Sequence, residues 1–548
     1  MPTIAELILA NADSDSVAVV FEDESWTWRE YVAACNERAA LATELRVDGP
    51  FHIGLLFENT PEFACWLGAA ALAGATAVGI NPTRRGAELA RDITHTDCQL
   101  VVTEASGMPL LEGLDLGLDA DRVIDTDGPG YADMLAAHRG AAAPSASVTE
   151  DDRYLLLFTS GTSGAPKAVI TSQGRLANAG LHLADGFGLG TEDAFYLAMP
   201  MFHSNALFAG FAPALRAGGT MVLRRKFSAS GFLPDVRAHG VTYFNYVGKP
   251  LAYILATAEQ ADDADNTLAW VFGNEAADTD ITRFGERFGC VVVDNYGSTE
   301  GGAVVLRHPE MPEGALGKAE ADLAVLDPDT GEPCPTAEFD AEGRLANPEE
   351  AIGEMVNVGE TTFEGYWNND EANRARMRNG QFWTGDLAYV DADGWVYFAG
   401  RGYDWLRVDG ENFSAAPVER ILSRHPDVAV VAVYAVPDED VGDQLMAACI
   451  LRDGAEFDPE GFQSFLDGQA DLGTKWAPRY VRVAPELPST PTNKVLKRQL
   501  RAERWETDDA VWWRAGRGEG YRRMTDEDRT ALRQRFAERG RLDVLDAV

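Results

Sequence analysis

The chain has few cysteines, and their placement excludes a zinc site or a disulfide framework. Six cysteines are scattered through 548 residues without CxxC spacing, and the eight histidines form no HExxH pattern. Short Cys spacing is the signature of zinc sites, and disulfide-stapled domains are small and dense in cysteine. Isolated thiols are typical of reduced side chains in a cytoplasmic protein, so we expect that location. The cysteines are Cys35, Cys65, Cys98, Cys290, Cys334 and Cys449.

Long apolar runs are also missing. The longest small and apolar run, GAAALAGATAVGI at 68–80, is shorter than the roughly 20 residues that a membrane-spanning helix needs. The N-terminus, MPTIAELILANADSDS, has neither the basic region nor the apolar stretch of a signal peptide. We expect a soluble protein without a transmembrane segment.

Positive charge is scarce. Lysine and arginine total 47 against 87 aspartates and glutamates, which gives a formal net charge of −40. Such a surface repels nucleic acid and anionic lipid, so small molecules are better candidate partners. A site for an anionic ligand would have to be locally positive within this negative surface.

Apolar strand-like runs alternate with amphipathic segments over the first three hundred residues. This alternation predicts an α/β fold with layered, largely parallel sheets. After about residue 305 the short alternating strands, such as GWVYFAG at 394–400, indicate a small β unit that closes the large domain. The runs lie at 52–57, 76–80, 100–103, 154–159, 194–199, 220–224, 242–247, 268–273 and 291–296.

A second change of composition near 400–405 predicts a domain boundary, with an N-terminal domain at 1–400 and a C-terminal α+β domain at 401–548. Runs at 428–437, 445–452 and 480–488 are expected to form a three-stranded sheet. Helices that start near Ala416 and Asp458 would cover it. The tail TDEDRTALRQRFAERG predicts a capped amphipathic helix that ends at Gly540.

The stretch YLLLFTSGTSGAPKAVI, from Tyr154 to Ile170, passes from a buried strand into a loop rich in Gly, Ser and Thr. Such loops present backbone N–H groups and hydroxyls to phosphate. A flexible linker is the alternative, although a linker rarely begins at a buried strand. The stretch is not a usual P-loop, because Lys167 is followed by Ala168 rather than by Ser or Thr.

Four further motifs follow in order. They are NYGSTEGG at 295–302, FWTGDLAYVDADGWVYFAGR at 382–401, GYDWLRVDGENF at 402–413 and PSTPTNKVLKRQL at 488–500. Together with FTSGTSGAPK, the set resembles the adenylate-forming superfamily of acyl-CoA synthetases, adenylation domains and luciferases. YFNYVGKPLAYIL and LRVDGENFSAAPVER most resemble the fatty-acid-transport-type and very-long-chain acyl-CoA synthetases.

This resemblance implies an ATP-dependent acid–CoA ligase that acts on a medium, long or cyclic apolar acid. A carboxylate would attack the α-phosphate of ATP, and CoA would then displace AMP from the acyl adenylate. ATP, Mg²⁺ and CoA are the implied cofactors and co-substrates. The alternative is an adenylating enzyme that loads an acyl carrier protein, or that activates an unusual acid, such as an amino acid held by Asp278, or a small anion.

The resemblance also assigns roles to individual residues. The phosphate loop would hold the β- and γ-phosphates, with Lys167 steadying it. Thr299 would contact the α-phosphate, and Glu300 would hold Mg²⁺. Lys494 would bridge the carboxylate and the α-phosphate, where a cation lowers the repulsion between two anions. His203 would form the gate of the acyl pocket; a buried structural histidine is the alternative. The loop residues are Thr159, Ser160, Gly161, Thr162, Ser163 and Gly164.

For the nucleoside, Asn295 and Tyr296 would frame the adenine, with Gly273 on its other side. Asp386 would accept both ribose hydroxyls, and Arg401 would assist. The acyl pocket would lie near 243–248 and 274–276.

The C-terminal domain would rotate about a hinge near 401–404 between the two half-reactions. This sequence departs from the family there, because Tyr403 stands where Asp or Lys is usual and Arg407 stands where Lys is common. Ser163 and Ala168 are milder changes, and ITSQGR replaces a histidine that often follows the phosphate loop.

Overall fold

The computed structural model describes nearly the whole chain. The described residues are 1–144, 147–159, 167–308, 310–312, 314–319, 321–341, 345–401, 405–408, 411–439, 443–469, 472, 476–490, 495–515 and 519–546.

The first 187 residues alternate short strands with helices. Their elements are α1 (Ile4–Leu9), β1 (Val17–Phe21), β2 (Glu24–Thr27), α2 (Trp28–Glu44), β3 (His52–Leu56), α3 (Pro61–Ala73), β4 (Thr76–Gly79), α4 (Gly86–His95), β5 (Cys98–Thr103), α5 (Met108–Leu111), β6 (Val123–Asp125), α6 (Tyr131–Ala136), β7 (Arg153–Thr159), β8 (Lys167–Ser172) and α7 (Gln173–Phe187).

The next segment continues the pattern and contains a π-helical turn at Leu207–Phe211. Its elements are β9 (Ala194–Leu197), α8 (Ser204–Ala206), α9 (Ala212–Ala217), β10 (Thr220–Leu223), α10 (Ala229–His239), β11 (Tyr243–Val247), α11 (Pro250–Leu255), β12 (Trp270–Asn274), α12 (Asp278–Phe288) and β13 (Val291–Asp294).

These elements form two mostly parallel sheets, so the predicted α/β class is confirmed. One sheet has the order β6-β5-β3-β4-β7-β8, and the other has the order β13-β12-β11-β9-β10-β1-β2. Only the edge pairs β7–β8 and β1–β2 are antiparallel within them. Parallel strands need a crossover between them, which is why helices cover both sheets. The hairpin of β1 and β2 was not predicted from the sequence.

A smaller β unit follows, as the sequence predicts. Its strands β16-β21-β20-β18-β17 form an antiparallel sheet with β19 beside β20, and β14 pairs with β15. The elements are β14 (Tyr296–Gly297), β15 (Val304–Val305), β16 (Ala315–Lys318), β17 (Leu323–Leu326), α13 (Pro348–Ala351), β18 (Gly353–Asn357), α14 (Asp370–Arg376), β19 (Met377–Arg378), β20 (Gln381–Val390) and β21 (Trp395–Arg401).

The C-terminal region contains a sheet with the order β24-β25-β26-β27-β28. The prediction of three strands was therefore wrong, while the predicted helices near Ala416 and Asp458 are present. The elements are β22 (Trp405–Val408), β23 (Glu411–Ser414), α15 (Ala415–Ser423), β24 (Val428–Pro437), β25 (Asp443–Leu451), α16 (Pro459–Asp467), β26 (Tyr480–Val483), α17 (Lys497–Glu503), β27 (Ala510–Trp513), β28 (Arg522–Arg523), α18 (Asp526–Glu538) and α19 (Leu542–Asp546).

One side of the helix α7 borders a large cavity. Ser172 caps its first turn by accepting a hydrogen bond from the backbone N–H of Arg175 at 3.2 Å. The helix ends at Gly188, whose φ of +67° is the left-handed conformation that favours glycine. Leu176, Ala177 and Ala184 are buried on its inner side.

Candidate active site

A cavity of about 1130 Å³ lies where strands of both parallel sheets end. Gly79 and Thr159 border it from one sheet, while Val247 and Asn274 border it from the other. Open α/β sheets commonly bind ligands at the carboxyl ends of their strands. The β unit contributes Asp386 to the same cavity, so all three layers meet at one place.

The predicted phosphate loop begins and ends at this cavity. Thr159 closes β7 and pairs directly with Lys167, the first residue of β8. The Lys167 ammonium lies 5.6 Å from the centre of the Tyr366 ring. Burial lowers the pKa of Lys167, and the nearby Arg376 lowers it further. The predicted residues Ser160, Gly161, Thr162, Ser163 and Gly164 lie outside the described residues.

Glu300 is buried at the edge of the cavity with a defined hydrogen-bond partner. The Tyr366 hydroxyl donates to Glu300 Oε1 at 2.8 Å, and Arg376 Nε donates to the same hydroxyl at 3.2 Å. The neighbouring Thr299 Oγ1 lies 2.8 Å from Ser204 Oγ. The turn predicted to contact the α-phosphate and Mg²⁺ therefore presents one carboxylate and one hydroxyl in fixed orientations.

Arg175 anchors that turn from the opposite side. Its guanidinium donates to the carbonyl of Thr299 at 2.8 Å and to the carbonyl of Ile170 at 3.2 Å. It also lies 5.3 Å from the centre of the Phe208 ring, and burial lowers its pKa. The turn of Thr299 is thereby tied to β8, the strand that follows the phosphate loop.

The residues predicted to bind the nucleoside lie together, with one exception. The Tyr296 hydroxyl donates to Asp386 Oδ2 at 2.6 Å, and Asn295 borders the same part of the cavity. Gly273 is not among the residues found to line the cavity, because its α-carbon faces Tyr246 of the neighbouring strand. Arg401 ends β21, where its backbone pairs with Asp386.

Asp294 connects the chain segments next to this region. Its Oδ2 accepts the Tyr246 hydroxyl at 2.5 Å and the backbone N–H of Ala276 at 3.0 Å. Burial raises the pKa of Asp294 to about 7, although both hydrogen bonds act in the opposite direction. A carboxyl group thus joins β11, β13 and the start of the segment that leads to α12.

Part of the region in which the sequence predicts the acyl pocket borders the cavity. Val247, Asn274 and Glu275 line the cavity as expected, but Tyr243 is fully buried and donates to the carbonyl of Ala209 at 2.8 Å. A longer wall comes from one face of α7, which the sequence reasoning missed. The residues of α7 that line the cavity are Arg175, Asn178, Ala179, His182 and Leu183. Phe208 and Phe272, from other elements, line it as well.

His203 borders the cavity. Its ring is 4.3 Å from the ring of Phe202, and its Nε2 is buried without a hydrogen-bond partner in the described part of the chain. Burial lowers the pKa of His203 to about 4, with a smaller contribution from Arg84. The ring is therefore neutral near pH 7. An unpartnered nitrogen that borders a cavity fits a contact with substrate better than a purely structural histidine does.

Asp278 does not face the cavity. It forms an ion pair with Arg307 and accepts the backbone N–H of Gly314 at 3.1 Å. A carboxylate neutralised in this way is a poor partner for the ammonium group of an amino acid.

The described C-terminal part contributes Thr490 to the cavity. The neighbouring Ser489 forms a bridge with Val495. Lys494 lies outside the described residues, as do Tyr403 and Gly410. Arg407 pairs through its backbone with Asn412 in the hairpin of β22 and β23.

The donor set at Glu300 fits Mg²⁺. In the described ranges no three His, Cys, Asp or Glu side chains come together as a metal site. Mg²⁺ is usually held by one or two carboxylates together with substrate phosphates, so a single buried carboxylate beside the phosphate loop suits it.

None of the helices in the described ranges is long and apolar enough to cross a membrane.

Three residues at the site were missed by sequence reasoning: Arg175, Tyr366 and Arg376. Arg175 and Tyr366 contact residues far away in the chain, and Arg376 contacts Tyr366, so no short motif that includes the predicted site residues marks them. The spacing of Arg175, Ala179 and Leu183 by four could have revealed the cavity face of α7.

Known proteins resemble this chain along nearly its whole length. A family model described as AMP-binding enzyme matches residues 9–367, and one described as AMP-binding enzyme C-terminal domain matches residues 417–494. The steroid-22-oyl-CoA synthetase of Rhodococcus jostii is 52% identical over 543 residues, covering 98% of both chains. The medium/long-chain-fatty-acid–CoA ligase FadD17 of Mycobacterium tuberculosis is 49% identical over 513 residues, covering 93% of this chain and 98% of its own.

Solved structures share the fold. ATP-bound MatB from Rhodopseudomonas palustris superposes with a TM-score of 0.74 at 25% identity, covering 91% of this chain and 98% of its own. The anthranilate CoA ligase AuaEII in complex with anthranoyl-AMP gives a TM-score of 0.79 at 23% identity, covering 91% of this chain and 97% of its own. The two-part α/β architecture is therefore that of known adenylate-binding structures.

Proposed function

The chain belongs to the AMP-binding enzyme family and is an acid–CoA ligase that uses ATP; from this premise we propose that its acid is large and mainly apolar. The resemblance to the adenylate-forming superfamily inferred from the motifs is confirmed. Two relatives that are about 50% identical in sequence are named for a steroid-22-oyl group and for medium or long fatty acids. Both groups are apolar, although they differ in shape.

The face of α7 supports this substrate class. From Arg175, which touches the Thr299 turn, the cavity runs along Ala179 to Leu183, with Phe208 and Phe272 opposite. Leu183 follows Arg175 by eight positions, a rise of about 12 Å along the helix, which is enough for a ring system or a long chain. A short acid would leave this apolar surface uncovered and would gain little binding free energy there.

The proposed chemistry has two steps. The carboxylate oxygen attacks the α-phosphorus of ATP, the bond to the bridging oxygen breaks, and pyrophosphate leaves. The sulfur of CoA then attacks the acyl carbonyl, the thiol proton is lost, and AMP departs. Bound Mg²⁺ would screen the charge of the triphosphate.

The chain's own residues would position these reactants. Asp386 would accept the ribose hydroxyls while Tyr296 fixes its orientation. Thr299 would donate to the α-phosphate, since Ser204 and Arg175 hold it at the cavity edge. Lys494 would lie between carboxylate and phosphate during the first step. Such prearranged donors commonly contribute several kcal/mol, about 10²–10³ in rate for each one.

The division into domains at 1–400 and 401–548, with a hinge near 401–404, is part of the same proposal. Two facts support it. The two family models match on either side of this region, and the five-stranded sheet is built only from residues after 427. Rotation of the smaller domain would allow Lys494 to leave before the thiol arrives.

The test is acid-dependent pyrophosphate release over a panel of acids, with and without CoA, followed by mass spectrometry. We expect acyl-CoA from steroid side-chain acids or long fatty acids, and little from acetate. Ala179→Phe should reduce kcat/KM for the large acids at least tenfold more than for a short one. Leu181→Phe, on the same helix but away from the cavity, is the control. Pyrophosphate release without any acyl-CoA would contradict the ligase activity, and equal use of short and large acids would contradict the substrate class.

A further inference from the structure

Two polar side chains of α7, Asn178 and His182, stand among the apolar residues that line the cavity and can form hydrogen bonds with a ligand. Asn178 and His182 lie one turn apart and both line the cavity. In the described part of the chain the Asn178 amide has no hydrogen-bond partner, and His182 bonds only through Nδ1. Asn178 is half-buried and His182 is exposed, so water satisfies them while the cavity is empty. A purely apolar substrate would displace this water without replacing its hydrogen bonds.

The orientation of His182 is fixed by the helix itself. Its Nδ1 lies 2.8 Å from the carbonyl oxygen of Asn178, and because a carbonyl can only accept, Nδ1 carries the proton. In the neutral ring Nε2 is then an acceptor. The amide of Asn178 can both donate and accept. The pair therefore offers a ligand one hydrogen-bond acceptor, His182 Nε2, and one amide, that of Asn178, which can donate or accept.

The distance from the reaction centre is set by the helix. Arg175 touches the Thr299 turn, and His182 follows seven residues later, about 10 Å along the axis. Ala179 lies between them on the helix, and Leu183 and Phe208 are apolar residues of the same cavity. A ligand that matches both the apolar residues and this polar pair is apolar in its middle and polar at the end remote from its carboxylate.

We propose that Asn178 and His182 form a subsite for an oxygen substituent at the distal end of the acid. A hydroxyl there would donate to His182 Nε2, and a ketone would accept from the Asn178 amide. This inference rests on the proposed function and narrows it: the preferred acids carry a hydroxyl or keto oxygen roughly 10 Å from the carboxylate, on an otherwise apolar ring system or chain.

The test compares two acids with the same skeleton, a steroid side-chain carboxylic acid with a ring ketone and its analogue without that oxygen. The wild-type protein should prefer the oxygenated acid by roughly 3–10-fold in kcat/KM, because a half-exposed hydrogen bond contributes modestly. The Asn178→Leu/His182→Leu double variant should bring the ratio to about one. Asp185→Ala is the matched control, since Asp185 lies on α7 and pairs with Arg216 away from the cavity.

Each outcome is decisive. A wild-type ratio of one, or a ratio that survives in the double variant, would overturn the subsite. A ratio that falls equally in Asp185→Ala would assign the effect to the helix as a whole and would also overturn it. Because the ratio compares two substrates of one preparation, partial unfolding of a variant cancels. If neither acid yields acyl-CoA, the proposed substrate class fails instead, so the two failures are distinguishable.

Discussion

Removing one hydroxyl, by Tyr366→Phe, should weaken Mg²⁺ binding without disturbing the shape of the site. The hydroxyl donates to Glu300 Oε1 at 2.8 Å and accepts from Arg376 Nε at 3.2 Å. Arg376 keeps a second contact in the variant, because its Nη1 donates to the carbonyl of Trp383 at 3.1 Å. The main loss is therefore the fixed orientation of the Glu300 carboxylate.

Two independent magnitudes give a similar size for the expected loss of Mg²⁺ affinity. A hydrogen bond to a charged group contributes about 1.5–3 kcal/mol, which corresponds to a factor of roughly 10–150 in an equilibrium constant. Loss of a residue that hydrogen-bonds a metal ligand typically costs about 10–100-fold in metal affinity or activity. We therefore expect the Mg²⁺ concentration for half-maximal activity to rise about 10–100-fold, with kcat close to wild type at saturating Mg²⁺.

The assay is pyrophosphate release against Mg²⁺ concentration at saturating ATP and acid. A second readout, the rise in melting temperature that Mg²⁺ produces in the presence of ATP, does not depend on turnover. Tyr397→Phe is the matched control, because it deletes a hydroxyl that donates to Asp391 Oδ2 at 3.1 Å outside the cavity. It should leave the Mg²⁺ dependence unchanged.

Two results would refute the reasoning. The half-saturating Mg²⁺ concentration could be the same in Tyr366→Phe and wild type by both readouts, in which case Glu300 does not bind the metal. The variant could instead lose kcat by the same factor at every Mg²⁺ concentration. Tyr366 would then act on the reaction geometry rather than through the metal.

Three further predictions concern the same cavity. Asp386→Asn should raise KM for ATP roughly tenfold or more, since a charged acceptor is lost; Asp391→Asn is the control, and an unchanged KM would remove Asp386 from the nucleotide site. Lys494→Ala should slow adenylation about 10²–10³-fold while sparing thioester formation from a supplied acyl adenylate, and equal loss in both steps would contradict its role. The folded-state pKa of His203 is about 4, below its ordinary 6.5, so its contribution to stability is present above pH 6.5 and is lost as the pH falls through about 4. The melting temperature should therefore fall less on acidification in His203→Phe than in wild type, and identical curves would refute the burial argument.

The sequence predicted the strands that are buried on both faces. Runs such as 154–159 and 428–437 are continuous and apolar, so their type and place follow from composition alone. The strands β27 and β28 were missed for a physical reason. Trp512 and Trp513 stand in a polar neighbourhood, and Arg522–Arg523 is too short to show any period. Both owe their conformation to pairing with a preformed edge strand rather than to local preference.

The candidate site, too, could be predicted from the sequence only in part. Glu300 stands in a turn and Asp386 follows Gly385 in β20, both in motifs whose composition indicates a ligand, and the structure brings both to one cavity. Arg175 and Tyr366 act through contacts between distant parts of the chain, 124 residues apart for Arg175 with Thr299 and 66 for Tyr366 with Glu300. No short window of sequence contains both partners of such a contact, so only the folded chain reveals it.

The position of β1 inside its sheet constrains how the protein can be made. Val19 pairs in parallel with Met221, and the Trp28 indole N–H donates to the carbonyl of Gly218 at 3.0 Å. At about 5–20 residues per second, a ribosome needs roughly 10–40 s to synthesise the chain between these partners. During that interval the nascent hairpin of β1 and β2 exposes an apolar edge, which is a template for wrong pairing. Expression yield should therefore respond to translation speed between residues 30 and 220 and to chaperones that bind the emerging N-terminal segment.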